Sequence, residues 1–259
     1  MFDFQYVANK IGSTLCLFLI LNVLGLSLGH QAVAEEKATK ANVDNLDAGL
    51  PIHRRNGGSR GLQNNCIANS KNQNLMALVP DDFVAKNDID NPSLFFYVPK
   101  TNNQTILEFV LRNEQDELIY DAFFTTTGDG IISIEVPDNI NLPLLMNNQS
   151  YHWYLSLICD RQQRSQDLVV EGWLRQESVD LEAQSQISHG SLVQQAEVYN
   201  NQGFWYSALS VLAEDPDLMT EHAIVHQKWT EMLKSVGLES LATESFINKQ
   251  VIEAEPYDL

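Results

Sequence analysis

Positive charge is in short supply in this chain. Its 259 residues hold 16 Lys and Arg against 34 Asp and Glu, a formal net charge of −18. Such a surface repels phosphate backbones and anionic headgroups, which argues against a nucleic-acid partner and general adhesion to an acidic membrane. Cysteine is scarce in number, with three residues, Cys16, Cys66 and Cys159, and no CxxC spacing. A zinc knuckle is therefore not expected. Long apolar runs are also missing, apart from Ile11 to Leu28. Outside that run nothing is long and apolar enough to span a bilayer.

What is present begins with an export pattern. Lys10 precedes the apolar run, and Ala32-Val33-Ala34 follows it, just before Glu35 and Glu36. A positive start, an apolar centre and a small-residue end are the parts of a secretory signal, read here over residues 1–34. An uncleaved membrane anchor is the rival reading, because the run is long. Leu15 stands where lipid modification of Cys16 would call for a small residue, which argues against a lipid anchor. Cleavage after Ala34 removes Lys10, Asp3 and Cys16, so the mature charge stays at −18. Two cysteines then remain, and an even pair in an exported protein reads as a disulfide, Cys66 to Cys159.

Residues 35–65 are polar and without periodicity, and read as a linker. From Leu75 to Arg175 there are seven short β-rich runs: "LMALVP", "SLFFYVP", "TILEFVLR", "ELIYDAFF", "GIISIEV", "SYHWYLSLIC" and "DLVVEGWLR". Leu107, Phe109 and Leu111 alternate with Glu108 and Arg112. Tyr151, Trp153, Leu155, Leu157 and Cys159 alternate with His152, Tyr154, Ser156 and Ile158. Period-two alternation marks half-buried strands. The expected fold is mainly β with α: an antiparallel, immunoglobulin-like β-sandwich of about seven strands over residues 66–176, then a helical segment over 177–252. Within that segment Trp205, Leu209, Trp229 and Leu233 recur at helical spacing and are expected to form a small core, and "LESLATESFINKQVIEAE" reads as one further helix. Residues 253–259 read as a frayed tail.

Some of these residues fall into a set of motifs: "GSRG" at 58–61, Cys66, "LMALVP" at 75–80, "FYVP" at 96–99, "WYLSLICD" at 153–160, "VEGW" at 170–173 and "WYSAL" at 205–209. In combination they resemble a cyanobacterial family known as domain of unknown function 928, over roughly residues 54 to 242. Met76 departs from the pattern, where Thr is expected. The resemblance implies an exported bacterial protein of this two-part layout and carries no catalytic residues over.

"GGSRG", Gly57 to Gly61, matches the nucleophile-elbow spacing, but neither a strand before it nor a helix after it is expected, so Ser59 reads as part of a loop. His222 and His226 stand four apart on a helix without a third ligand, and surface histidines are the commoner reading. No metal and no cofactor is expected. The sequons at Asn103 and Asn148 read as chance in a bacterial protein. Glu171, between apolar neighbours, is the candidate buried carboxylate, with Arg161, Arg164 or Arg175 as expected partners. The aromatics Phe95, Phe96, Tyr97, Trp153, Tyr154 and Trp173 read as core, with a sugar-stacking face as the less favoured role. If the disulfide forms, it draws Arg54, Arg55 and Arg60 toward Arg161 and Arg164. That patch is the candidate site for an anionic ligand or acidic partner, unless nearby Asp and Glu neutralise it. The expected function is a non-enzymatic extracytoplasmic binding module with an envelope or secreted protein partner, free of the membrane after signal cleavage. The rival is an envelope hydrolase acting on sugar polymers through paired carboxylates.

Overall fold

A computed structural model describes residues 52–55, 66–68, 74–81, 84–89, 91–137, 148–220 and 223–252. The signal segment, most of the linker, Gly57 to Gly61 with Ser59 and Arg60, His222, and the tail lie outside the described residues.

Among the described residues, nine strands and four α-helices form two open, mostly antiparallel sheets with helices packed on them. The strands are β1 (Met76–Ala77), β2 (Ala85–Asn87), β3 (Ser93–Val98), β4 (Thr105–Asn113), β5 (Leu118–Thr126), β6 (Gly130–Glu135), β7 (Gln149–Ile158), β8 (Leu168–Gln176) and β9 (Lys249–Ile252). The helices are α1 (Leu181–His189), α2 (Leu192–Asn201), α3 (Trp205–Ala213) and α4 (Ile224–Ser235). The small sheet runs β1-β3-β6 and the large one β2-β8-β7-β4-β5-β9. The seven expected runs are β1 and β3 to β8.

Strand alternation sets the layers. Leu107, Phe109 and Leu111 of β4 and Trp153, Leu155 and Leu157 of β7 are fully buried on one face of the large sheet. Phe96 of the small sheet packs edge-on against Phe109 and Trp153 from that side, with centroids 6.3 and 5.4 Å away. Phe95, the next residue, points the other way and meets Trp229 of α4 at 5.6 Å. The small sheet is thus covered on both faces, which is why β3 is apolar along its length rather than alternating. Trp153 fits because residue 172 on the neighbouring strand is glycine: a β-carbon at Gly172 would run into its ring. The Trp153 indole N–H donates to the Tyr206 hydroxyl (2.8 Å), which donates to the Trp173 carbonyl (2.9 Å), so α3 is bonded to both β7 and β8.

Local signals set the helix ends. Asp180 caps α1, accepting from the Ala183 N–H at 2.8 Å. Ser191 and Gln194 form a capping box on α2. After α4, Gly237 takes φ +73°. The Gly237 N–H then donates to the Lys234 carbonyl and the Leu238 N–H to that of Leu233, a left-handed stop that favours glycine.

Three features differ from the sequence reading. First, β2 pairs with β8 in parallel, so the large sheet is not wholly antiparallel. Second, the stretch read as a last helix instead gives a short 3-10 turn at Glu239–Leu241 and then β9, which pairs antiparallel with β5. The open edge of β5 offers backbone partners, and Val251 and Ile252 suit a strand better than a helix. Third, residues 52–55, read as linker, are paired. His53 exchanges backbone bonds with Glu171 of β8, and Arg55 bridges Met76 of β1, so this segment joins the two sheets. Backbone pairing of this kind leaves no side-chain pattern to read.

Candidate functional site

Residues 152, 154, 171 and 173 point away from the core, as alternation on β7 and β8 requires. Register places His152 opposite Trp173 and Tyr154 opposite Glu171. His152 stacks on the Trp173 indole at 4.4 Å and 12° and leans on Tyr154 at 4.1 Å. The Tyr154 hydroxyl lies 2.7 Å from His152 Nδ1. With Tyr154 donating, the neutral imidazole holds its proton on Nε2, 3.1 Å from Glu171 Oε2. That pair is within ion-pair distance once the ring is protonated, but it is poorly aligned for a hydrogen bond. The other Glu171 oxygen takes a 2.6 Å contact from Nδ1 of His53. The side chains are 64% exposed at His53, 23% at Glu171 and 13% at His152. The chain Tyr154–His152–Glu171–His53 therefore runs from a shielded aromatic stack to open solvent. The Trp173 indole N–H is shielded and has no acceptor among the described residues.

Burial pushes the His152 pKa down, against the opposing pull of Glu171 and Asp116. Burial also pushes the Tyr154 hydroxyl up, helped by Glu171 and Asp116 and opposed by Arg112. An NMR titration is expected to find His152 protonating below the ordinary histidine value of ~6.5. A group that takes its proton less readily when folded stabilises the fold above ~6.5 and loses that contribution as pH falls through its folded pKa. A midpoint at or above 6.5 for His152 would contradict the burial assignment.

The arginines are distributed otherwise than the sequence suggested. Arg54 is buried, and its guanidinium donates to the carbonyls of Val79 (3.2 Å) and Val236 (2.6 Å) and pairs with Asp81 at 2.7 Å. Arg164 pairs with Glu108 and, at 2.5 Å, with Asp167. Asp167 in turn accepts from the Cys159 N–H at 3.2 Å. Both arginines thus have carboxylate partners and structural roles, while Arg55 and Arg161 are exposed. Glu171 pairs with two histidines rather than with Arg161, Arg164 or Arg175. His53 and His152 were missed as its partners. Only the outward position of His152 was legible, and His53 reaches the site through a backbone bridge.

The expected disulfide is present, with Cys66 and Cys159 bonded and their Cα atoms 5.2 Å apart. Of the aromatics read as core, Phe95, Phe96, Tyr97 and Trp153 are buried there, whereas Tyr154 and Trp173 lie on the outward face. His226 is buried, with its ring 2.9 Å from the Leu218 carbonyl, a packing role. Among the described residues, no three His, Cys, Asp or Glu side chains gather to hold a metal ion, and no helix is long and apolar enough to cross a membrane.

Fold and site together define a disulfide-bonded two-sheet β protein with a helical layer and a histidine–aromatic cluster on the outward face of its larger sheet. The chain belongs to the Domain of Unknown Function (DUF928) family, whose family model matches residues 55–246. No curated protein matches it.

Proposed function

We propose that this is an exported cyanobacterial protein acting as a non-enzymatic interaction module, with an envelope or secreted protein as partner. In this reading the two sheets form an immunoglobulin-like sandwich, the helices at 181–235 brace it, and the outward face of β7 and β8 meets the partner. The observation that carries it is the stack of His152, Trp173 and Tyr154 over Glu171. Aromatic and amphipathic side chains on a rigid sheet are the groups that anchor protein interfaces. The signal pattern and the disulfide support export, because such bonds persist in oxidising compartments.

Two measurements test the reading. The N-terminus of the exported form is expected at Glu35; recovery of the intact chain in the membrane fraction would overturn signal cleavage. Affinity capture of the mature protein from envelope extract is expected to enrich one partner that Trp173→Ala loses while Leu181→Ala, at a 90% exposed site on α1, retains it. Equal capture by both variants, or turnover of sugar polymers by the mature protein, would sink the proposal.

A further inference from the structure

A second site lies on the other side of the small sheet. Ser93 and Phe95 of β3 stand opposite Glu135 and Ser133 of β6, so the four share one face. It is the face turned toward the helices, where Phe95 meets Trp229. These four side chains floor a cavity of about 350 Å³, within the range of small-ligand pockets. The C-terminal end of α3 walls it through Ser210 and Glu214, and Phe246 lines it from the segment before β9.

Four features of this cavity favour one kind of occupant. Its described lining holds two carboxylates, Glu135 and Glu214, and no cationic side chain. Lys249 of β9 is near enough to feel Glu135, but it is outside the lining, with its ammonium 5.8 Å from the Phe124 ring centroid. The C-terminus of a helix adds partial negative charge at the same wall. The Ser210 hydroxyl has no hydrogen-bond partner among the described residues and adds a polar group to this wall. Phe95 and Phe246, edge to face at 6.0 Å, offer apolar surface to a short carbon chain and an attractive quadrupole to a cation.

We propose that this cavity binds a small organic cation carrying primary ammonium groups, held between Glu135 and Glu214 with its carbon chain against Phe95 and Phe246. The net charge of −18 draws such ligands toward the protein. This site is separate from the outward face of β7 and β8 and does not depend on the role assigned there.

The test is calorimetric titration of the disulfide-bonded chain with 1,4-diaminobutane, and with glucose as the neutral counterpart. Saturable binding of the diamine is expected, weakening with added salt. Glu214→Gln and Glu135→Gln should each reduce affinity about tenfold, the scale of losing one charge-assisted bond. Glu182→Gln, at an exposed site on α1, removes the same charge elsewhere and should change nothing. Equal weakening by Glu182→Gln would reduce the effect to diffuse counterion attraction. Tighter binding of glucose would make the cavity a polyol site, and no saturable binding of the diamine in the millimolar range would also overturn the proposal. Near-native circular dichroism of the two cavity variants would keep a loss of binding from being a loss of fold.

Discussion

Replacing Cys66 and Cys159 together by serine is expected to lower the free energy of unfolding by about 4–5 kcal/mol, the chain-entropy value for a loop of this size. The bond joins residues 93 positions apart, so its loss frees a large loop in the unfolded chain. In the folded state both ends are already placed. The Cys66 carbonyl accepts from the Asn102 N–H, Ile67 bridges Thr101, and the Cys159 N–H donates to Asp167. The fold should therefore survive the change while the transition midpoint falls. Urea unfolding of the double variant against the parent measures it, and peptide mapping without reductant checks the pairing. A difference under about 1 kcal/mol, far below the chain-entropy value, would show that the bond adds little beyond the contacts around it.

Trp205→Ala is expected to cost about 3–5 kcal/mol, the range for deleting a large buried aromatic. Trp205 is 2% exposed, and its indole N–H donates to the Leu78 carbonyl at 2.8 Å. Alanine would leave a cavity under α3 and an unpaired carbonyl next to β1. Leu209, Trp229 and Leu233, 0–1% exposed, complete the helical core, which docks on the small sheet through Trp229 and Phe95. Thermal or urea unfolding reads the loss. A variant with parental stability would place Trp205 outside the core, and loss of a captured partner in that variant would make it an interface residue.

The strands of the middle of the chain were legible because their faces differ. Leu107, Phe109 and Leu111 need one side and Glu108 the other, and that need repeats every two residues. The spacing of Trp205 and Leu209, and of Trp229 and Leu233, announced the helices in the same way. Pattern reading failed where the burial pattern is not set by one core. Val251 and Ile252 became a strand because β5 had an unpaired edge. The parallel β2 is three residues long and pairs with the far end of β8. Residues 53 and 55 found partners through backbone groups, which every sequence possesses.

The candidate site divides along the same line. Glu171 could be singled out from "VVEGW" because a carboxylate between apolar neighbours is uncommon. Its partners could not, since an ion pair depends on which strand lies alongside and which segment crosses above.

By itself the sequence determined the acidic balance, the β-rich middle, most of the helical stretches and the pairing of Cys66 with Cys159 as an expectation. These follow from composition and local periodicity, which act over a few residues. Only the tertiary structure decided which sheet each strand joins, that His53 and His152 both meet Glu171, and that Arg54 and Arg164 are taken up by carboxylates. The two histidine contacts bring together groups 118 and 19 residues apart around Glu171, and register and chain crossing, not local preference, set such distances.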